Sequence, residues 1–183
     1  MRQTLQVSTE PSGVRLDPVS DREALVPILL EADESEPVLR SYLDEGELYA
    51  VVSDREVIGA VLLIPEDDAL EIKNIALIEG HRGRGRGRAT IEAVVALARR
   101  SGLSRLTVGT SDNSPGTIAF YRRVGFRDAG RIEGFFDAYP EPVVEDGVVA
   151  HDMVRFEMEL SPAVGLSRRP GRSSTRGRRA RSR

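Results

Sequence analysis

The sequence predicts an α/β protein with a mixed, mostly antiparallel central sheet and flanking helices. Two strand-like runs, residues 47–53 and 56–64, are separated only by Asp54-Arg55. Such a short connection predicts a hairpin, and therefore antiparallel pairing. A third strand-like run, residues 69–77, is followed by a helix-like run and then by a fourth, residues 105–110. A strand–helix–strand unit of this kind predicts one parallel pair in the same sheet.

The chain before this hairpin predicts a short strand and two helices. Residues 14–16 predict the strand. Ser20 and Glu23 are spaced as in a capping box, which predicts a helix that extends to about residue 32. Residues 37–43 predict a second, shorter helix.

The chain after the hairpin predicts two more helices and two more strands. Apolar residues recur at helical spacing within residues 89–100, which predicts a helix buried along one side. Ser114-Pro115 predicts the start of the next helix and Gly125 its end. Phe126 begins another strand-like region, and residues 148–160 predict the last strand. A loop rich in proline and acidic residues connects these last two regions.

The length of 183 residues predicts a single domain with a core of its own. We expect this domain to span residues 14–160, after a flexible N-terminus over residues 1–13. Residues 161–183 contain eight arginines, no acid and few large apolar side chains, so we expect a disordered, Arg-rich tail. The whole chain has a formal net charge of −3, so residues 1–160 carry −11. An acidic domain of this kind attracts cationic partners through its field.

The composition excludes several classes of site. The chain has no Cys, which removes disulfides, thiolate metal sites and Cys nucleophiles, and its two histidines are too few for a His-rich metal site. We therefore expect no metal. No apolar run approaches the roughly 20 residues that cross a bilayer, so we expect no membrane contact. The N-terminus lacks the apolar stretch of a signal peptide, and we expect a cytoplasmic protein.

The most informative motif is a glycine-rich turn between a predicted strand and a predicted helix. Its seven residues alternate arginine with glycine: Arg82, Gly83, Arg84, Gly85, Arg86, Gly87 and Arg88. Backbone N–H groups at a helix N-terminus have no intrahelical partner, and together with the helix dipole they form an anion site. The arginines add ionic contacts. The turn therefore predicts the binding of a phosphorylated cofactor.

Three phosphate-binding patterns compete for this turn. A Walker loop is excluded because no Lys follows the glycines, and the only lysine of the chain is Lys73. A dinucleotide-binding fingerprint needs Gly-x-Gly-x-x-Gly, whereas this run reads Gly-x-Gly-x-Gly. The remaining pattern, Arg-x-x-Gly-x-Gly, is matched by Arg82, Gly85 and Gly87.

The context of that pattern resembles the GNAT superfamily of N-acetyltransferases. The matching pieces are the strand that ends at Leu77, the five-residue spacing to Arg82, the glycine turn, and the run from Ala119 to Phe126, which is similar to the Tyr-x-x-x-Gly-Phe helix end of that family. The resemblance covers residues 14–160. It implies a sheet with a splayed parallel strand pair and a small-molecule type of activity.

The resemblance implies acetyl-CoA as the co-substrate. The pyrophosphate would lie on the backbone N–H groups from Arg82 to Arg88, and the pantetheine amides would pair with the backbone of a strand end in the splayed gap. Asn113 is a weaker pantetheine candidate, because many relatives place an Asn seven residues before the Tyr and Ser114 stands there. The cofactor residues implied beside the turn are Ile75, Ala76, Leu77, Asn113 and Tyr121.

The resemblance also implies two catalytic residues. Tyr121 would protonate the departing thiolate, although a packed core Tyr is the alternative. An alkyl ammonium has a pKa near 10, so a base must remove its proton. Glu71 stands where part of the family carries its base; it could instead be a solvated strand residue or pair with Lys73.

Three functions remain open from the sequence. The first is an acetyl-CoA-dependent N-acetyltransferase that acts directly on the primary amine of a small cationic molecule. The second is a protein or peptide N-acetyltransferase. The third is a nucleic-acid-binding module that uses the Arg-rich tail, which the charge of residues 1–160 disfavours. A homodimer is possible under each of them.

Overall fold

The computed structural model describes residues 13–160. The predicted flexible N-terminus, except Gly13, and the predicted disordered tail lie outside the described residues. Nine strands, three short 3-10 helices and four α-helices make up this region. The strands are β1 (Arg15–Pro18), β2 (Glu47–Ser53), β3 (Glu56–Glu66), β4 (Ala69–Leu77), β5 (Arg105–Ser111), β6 (Arg127–Ile132), β7 (Val144–Glu145), β8 (Val148–Val149) and β9 (Met153–Glu159). The helices are α1 (Val26–Leu29), α2 (Glu36–Tyr42), α3 (Arg86–Arg100) and α4 (Pro115–Val124).

Seven of these strands form one sheet in the order β1-β2-β3-β4-β5-β9-β6. All neighbours are antiparallel except β4 and β5, which are parallel. Asp54 and Arg55 form the predicted hairpin turn, with φ of 52° and 72°. The predicted mixed, mostly antiparallel fold is therefore confirmed.

The two faces of the sheet carry separate cores. One cluster packs Val94 and Ile91 of α3 and Tyr121 of α4 against strand residues such as Phe156. The other packs the α1 and α2 side chains against the opposite face of β2 and β3, with Leu29 and Leu39 fully buried. The sheet is thus covered on both faces, and the parallel pair lies between the two layers.

The parallel pair separates along its length. Its register runs from Ala69 beside Arg105 to Ile72 beside Val108 and stops there, although β4 continues to Leu77. A bulge lies at the same point, because Leu62 pairs with Asn74 while its neighbour on β3 pairs with Ile72. Lys73 is therefore the extra residue on β4. A bulge bends its strand and changes which way the next side chains point.

The first helical region is shorter than predicted. The capping box at Ser20 is wrong: a 3-10 turn, Arg22–Leu25, precedes the single turn of α1, and its N-cap is Asp21 without a side-chain cap bond. The Glu23 carboxylate is not free to cap, because it accepts a hydrogen bond from Arg40 at 2.9 Å. Pro27, which has no N–H, also stands inside this short helix.

The other helix limits follow the prediction more closely. The helix predicted over residues 89–100 begins three residues earlier, at Arg86, inside the glycine turn. Pro115 occupies the first turn of α4, and Gly125 ends it with φ of 110°. These ends are fixed locally, by a proline compatible with the first turn and a glycine in the left-handed region.

The predicted last strand is divided in two. Residues 148–149 pair with β7 in a separate small hairpin, and only Met153–Glu159 join the sheet. β9 lies between β5 and β6, so it separates two strands of the sheet that follow one another in the chain. Insertion of a late strand between two earlier ones depends on tertiary contacts, which a local pattern does not record. Among residues 13–160, no helix has the length and apolar character needed to cross a membrane.

Candidate active site

A cavity of about 570 Å³ opens where β4 and β5 stop pairing. Its walls come from the end of β4, the end of β5, the segment between α1 and α2, α4, and residues 133–150, which we call the flap. Chain segments far apart in sequence therefore meet at one place. Four of the predicted site residues, Ile75, Ala76, Leu77 and Tyr121, lie on the walls that β4 and α4 provide.

The end of β4 presents unpaired backbone to this cavity. Ile75, Ala76 and Leu77 pair with β3 on one side, but β5 offers them no partner on the other. All three line the cavity, as predicted. Backbone N–H and C=O groups are obligatory hydrogen-bonding groups, so this edge can accept an extended ligand as an added strand.

The glycine turn leads from this strand into α3. The first intrahelical bond runs from the Ala89 N–H to the Gly85 carbonyl at 3.0 Å. The N–H groups of Arg86, Gly87 and Arg88 precede it and have no intrahelical acceptor. This helix start can therefore bind an anion.

The three glycines of the turn serve different purposes. Gly83 and Gly85 both have φ of 76°, and a Cβ on either would meet nothing within 4 Å. A Cβ on Gly87 would lie 3.2 Å from the Phe120 ring. Gly83 and Gly85 thus provide a left-handed backbone beside open space, while Gly87 permits close packing of α3 on α4.

Arg82 connects the turn to two other walls. Its Nε donates to the Leu77 carbonyl at 2.8 Å, and its guanidinium pairs with the Glu31 carboxylate at 2.5 Å. Arg86 contacts the His81 ring, and Arg88 donates to the Arg123 carbonyl at 3.0 Å. Arg82 is the one arginine of the turn that lines the cavity among the described residues.

Tyr121 lies at the junction of the core and the cavity. Its ring packs against Phe120, Phe126 and Phe156, with centroids 5.4 to 5.7 Å away. The residue is only 4% exposed but also lines the cavity. Burial raises the pKa of its hydroxyl, which therefore keeps its proton at neutral pH. A protonated hydroxyl in this position can donate to a developing anion.

Glu71 lies outside the cavity lining that includes Tyr121. Its carboxylate lies 3.6 Å from the Lys73 ammonium group and is absent from the cavity lining, where Lys73 and Ile72 are present instead. The bulge explains this placement. It occurs after Glu71, so it redirects Lys73 and Asn74 rather than Glu71.

Asn113 and Ser114 have different surroundings. Asn113 donates to the Val148 carbonyl of the flap at 2.7 Å and does not line the cavity. Ser114 is 6% exposed, lines the cavity, and contacts Ser111 at 2.7 Å and the Glu145 carboxylate. The residue seven positions before Tyr121 is therefore the one that faces the cavity.

The wall between α1 and α2 carries a group of polar side chains that are hydrogen-bonded to one another. Asp33 accepts a hydrogen bond from the Tyr42 hydroxyl at 2.8 Å, and Tyr42 accepts one from Asn74 at 3.1 Å. Burial is the main cause of a raised pKa for Tyr42; the Asn74 bond opposes it and the Asp33 charge adds to it. Burial and then the Asp33 charge also raise the pKa of Tyr139, on the flap. No sequence signal marked Tyr42 or Asn74, because a Tyr at helical spacing and an Asn in a strand are typical core and strand residues.

The flap is fastened to the end of the sheet by polar contacts. The Gly134 N–H donates to Asp152 at 3.0 Å, and Phe136 N–H donates to the His151 carbonyl at 2.9 Å. The His151 ring lies 2.7 Å from Asp137. This hydrogen bond is the main cause of a raised pKa for His151. Phe136 and Tyr139 thereby cover one side of the cavity.

Within residues 13–160, no group of three or more His, Asp or Glu side chains is arranged to hold a metal ion. The polar groups of the cavity are hydroxyls, carboxylates and two cations, together with unpaired strand backbone. Such an arrangement can bind an extended, phosphorylated ligand on one side and a polar molecule on the other.

Comparison with known proteins agrees with this geometry. The model of the acetyltransferase (GNAT) family matches residues 18–126. The uncharacterized N-acetyltransferase YvbK of Bacillus subtilis is 31% identical over 140 residues, which cover 75% of this chain and 90% of that protein.

Two solved structures are similar over most of the described chain. A GNAT family acetyltransferase from Elizabethkingia anophelis, with acetyl-CoA bound, has a TM-score of 0.74 at 34% identity and covers 81% of this chain and 99% of its own. A Bacillus subtilis acetyltransferase in complex with CoA has a TM-score of 0.72 at 29% identity and covers 81% and 98%.

Proposed function

This chain belongs to the acetyltransferase (GNAT) family, and from that premise we propose that it acetylates the primary amine of a small, positively charged molecule. The acetyl donor is acetyl-CoA, as in the similar structure that contains it. The observation that carries the proposal is the unpaired end of β4 between the glycine turn and the Tyr121 hydroxyl.

The residues present fit acetyl-CoA. The strand edge from Ile75 to Leu77 lacks a β5 partner and would hold the pantetheine amides. The open, left-handed turn at Gly83 and Gly85, followed by the first N–H groups of α3, would hold the pyrophosphate. Arg82, at the end of β4, would supply a cation to it.

Acetyl-CoA supplies the acetyl group as a thioester: a C–N bond to the amine forms and the C–S bond breaks. Two protons leave the ammonium nitrogen, one proton joins sulfur, and the other is released to solvent. Tyr121 would donate the proton to sulfur, because this residue lines the cavity and burial keeps its hydroxyl protonated. Ser114, the N-cap residue of α4, adds a second hydroxyl-bearing residue to the cavity wall.

Glu71 remains our candidate for the base that takes the proton from nitrogen. Because its carboxylate lies against Lys73 and outside the cavity lining, it would act through water rather than by direct contact. In the competing interpretation, Glu71 only neutralises the charge of Lys73. Kinetics of Glu71→Gln and of Glu71→Gln/Lys73→Met separate these two interpretations.

Size and charge support a small cationic acceptor. The flap residues Phe136, Tyr139 and Val143 cover one side of the cavity, which leaves little room for a folded protein surface. Asp33 and Glu34 add negative charge to the wall between α1 and α2. A peptide acceptor has one supporting observation, since the peptidyl-lysine N-acetyltransferase YjaB of Escherichia coli is 32% identical over 102 residues.

The experiment is thiol release from acetyl-CoA with a defined panel of acceptors. The panel contains spermidine, 1,3-diaminopropane, benzylamine, tyramine, glycine and a lysine-containing peptide, with 1,3-propanediol as the matched hydroxyl control. We expect turnover with the amines that lack a carboxylate, at a kcat/KM at least about tenfold above glycine, since a repelled carboxylate costs about 1.4 kcal/mol or more. Preference for the peptide, or no turnover by a protein that binds acetyl-CoA, would overturn the proposal.

A further inference from the structure

One carboxylate on the cavity wall is held in a fixed orientation by a chain of buried side chains. Asp33 Oδ1 accepts the Ser35 N–H at 3.3 Å, and Oδ2 accepts the Tyr42 hydroxyl at 2.8 Å. The Tyr139 hydroxyl of the flap also hydrogen-bonds to this carboxylate. A carboxylate can accept about four hydrogen bonds, so these three leave capacity for a ligand. Asp33 also lines the cavity.

This chain of hydrogen bonds begins at Asn74 on β4, the strand whose unpaired end we propose as the cofactor site. Asn74 is 5% exposed, and its Nδ2 donates to the Leu29 carbonyl at 3.2 Å and to the Tyr42 hydroxyl at 3.1 Å. Because a carbonyl only accepts, the contact with Leu29 fixes which end of the amide is nitrogen. Tyr42 therefore receives a hydrogen bond from Asn74 and gives its own proton to Asp33.

The bulge on β4 makes this chain of contacts possible. Lys73 is the extra residue, and Asn74 follows it directly, with its side chain turned to the layer that contains α1 and α2. The same stretch of β4 has no β5 partner. The bulge thus connects the unpaired end of β4, where we place the cofactor, with the wall between α1 and α2, where we place the acceptor.

Asp33 differs from Glu71 and Glu31 in its partners. Glu71 pairs with Lys73 at 3.6 Å, and Glu31 pairs with Arg82 at 2.5 Å. Within residues 13–160, Asp33 has no cationic partner at salt-bridge distance; its hydrogen bonds come from neutral donors. An oriented, half-buried carboxylate without a cation is suited to an incoming ammonium group.

We propose that Asp33 binds the ammonium group of the acceptor, and that Tyr42 and Asn74 are positioning residues that act through Asp33. The inference rests on the proposed function, because it assigns the acceptor site of that reaction. The acceptor class follows from it: an alkyl or polyamine ammonium bound by a charge-assisted hydrogen bond, with the Tyr139 and Phe136 rings beside it.

The test is steady-state kinetics of Asp33→Asn, Asp33→Glu and Tyr42→Phe with whichever of spermidine, 1,3-diaminopropane, benzylamine or tyramine the wild type acetylates. We expect the amine KM to rise about 30-fold in Asp33→Asn and about 10-fold in Tyr42→Phe. Asp33→Glu should recover part of this loss. The KM for acetyl-CoA and the melting temperature should remain close to those of the wild type.

A double variant separates positioning from general damage. If Tyr42 acts through Asp33, Asp33→Asn/Tyr42→Phe should be no worse than Asp33→Asn alone. Tyr49→Phe is the matched control, because it removes the hydroxyl of another buried Tyr, one that donates to Glu47 away from the cavity.

The outcomes distinguish this inference from the function on which it rests. An unchanged amine KM in Asp33→Asn, in a protein that acetylates the amine, would overturn the assignment of Asp33 and leave the proposed function standing. Equal rises in both KM values would mean a structural role and would also overturn it. Absence of turnover by the wild type with every amine would remove the proposed function, and the assignment of Asp33 with it.

Discussion

The two sides of the cavity are built in different ways. The cofactor side is nearly continuous in sequence, since the end of β4, the glycine turn and the start of α3 all lie within residues 71–88. The proposed acceptor side brings together Asp33, Tyr42, Asn74 and the flap, which are separated by more than a hundred residues. Local sequence is therefore a good guide to the first side and a poor guide to the second.

This difference leads to separable effects. Substitutions on the cofactor side should change acetyl-CoA binding, and substitutions on the acceptor side should change the amine KM. Residues that face the reacting atoms from between the two sides should change kcat. The following variants test that separation, beginning with the largest expected effect.

Tyr121→Phe should give the largest loss. Removal of the hydroxyl leaves the ring contacts with Phe120, Phe126 and Phe156, so the fold should persist. We expect kcat to fall about 100-fold, the lower range for general acid catalysis. Calorimetry should show an acetyl-CoA Kd within about twofold of the wild type. Unchanged turnover would remove Tyr121 from the mechanism.

Glu71→Gln should lower kcat about 10- to 100-fold if Glu71 is the base. The variant also leaves Lys73 without its partner at 3.6 Å, so the double variant Glu71→Gln/Lys73→Met is needed. Removal of the Lys73 charge does not supply a new base. If Glu71 is the base, the turnover of the double variant in thiol-release assays should therefore remain low. Recovery of turnover in the double variant would show that Glu71 only balances Lys73.

Glu31→Gln examines an ion pair that joins the two sides. Arg82 pairs with Glu31 at 2.5 Å, so bound phosphate would compete with that carboxylate for the same guanidinium. An ion pair at this exposure is worth about 0.2–1 kcal/mol, and its removal should lower the acetyl-CoA Kd about 1.4- to fivefold. A weaker acetyl-CoA affinity in calorimetry would mean that Glu31 orients Arg82 instead of competing for it.

His151→Gln should have the smallest effect, on the flap alone. The raised pKa of His151, caused first by its hydrogen bond to Asp137, means that the folded state binds the proton more tightly than the unfolded state. The resulting stabilisation is complete below the unfolded pKa near 6.5 and is lost as pH rises through the folded value. Asp112 and Asp152 also face this ring and add to the shift.

Hydrogen exchange of the flap, corrected for intrinsic rates, measures this effect. Protection of residues 133–150 should be highest below about pH 6.5 and should decrease above it. In His151→Gln the pH dependence should disappear. A wild-type flap whose protection rises with pH would contradict the sign of this linkage.

The features that sequence predicted are those with a local cause. The turn at Asp54-Arg55, the end of α4 at Gly125 and the parallel pair each follow from a short run of residues. The resemblance to the GNAT superfamily implied Ile75–Leu77 and Tyr121 as site residues, and all four line the cavity.

The features that the sequence did not predict depend on contacts between distant segments of the chain. The capping box failed because Glu23 is bound by Arg40, which no local pattern reveals. The bulge at Lys73 is a mismatch between two strands, so it exists only once β3 and β4 are paired. Without the bulge, neither the direction of Asn74 nor its link to Tyr42 could be foreseen.

The most direct test of the cofactor side uses two glycines with the same backbone. Gly85 has φ of 76° in the glycine turn, Gly102 has φ of 77° after α3, and a Cβ on either meets nothing within 4 Å. Alanine at each position therefore carries a similar conformational cost, about 1–2 kcal/mol.

The measurement is calorimetric titration of acetyl-CoA into the wild type, Gly85→Ala and Gly102→Ala. The account predicts similar losses of melting temperature in both variants, but at least about tenfold weaker acetyl-CoA binding in Gly85→Ala alone. Equal acetyl-CoA affinities in the two variants would contradict the glycine turn as the phosphate site.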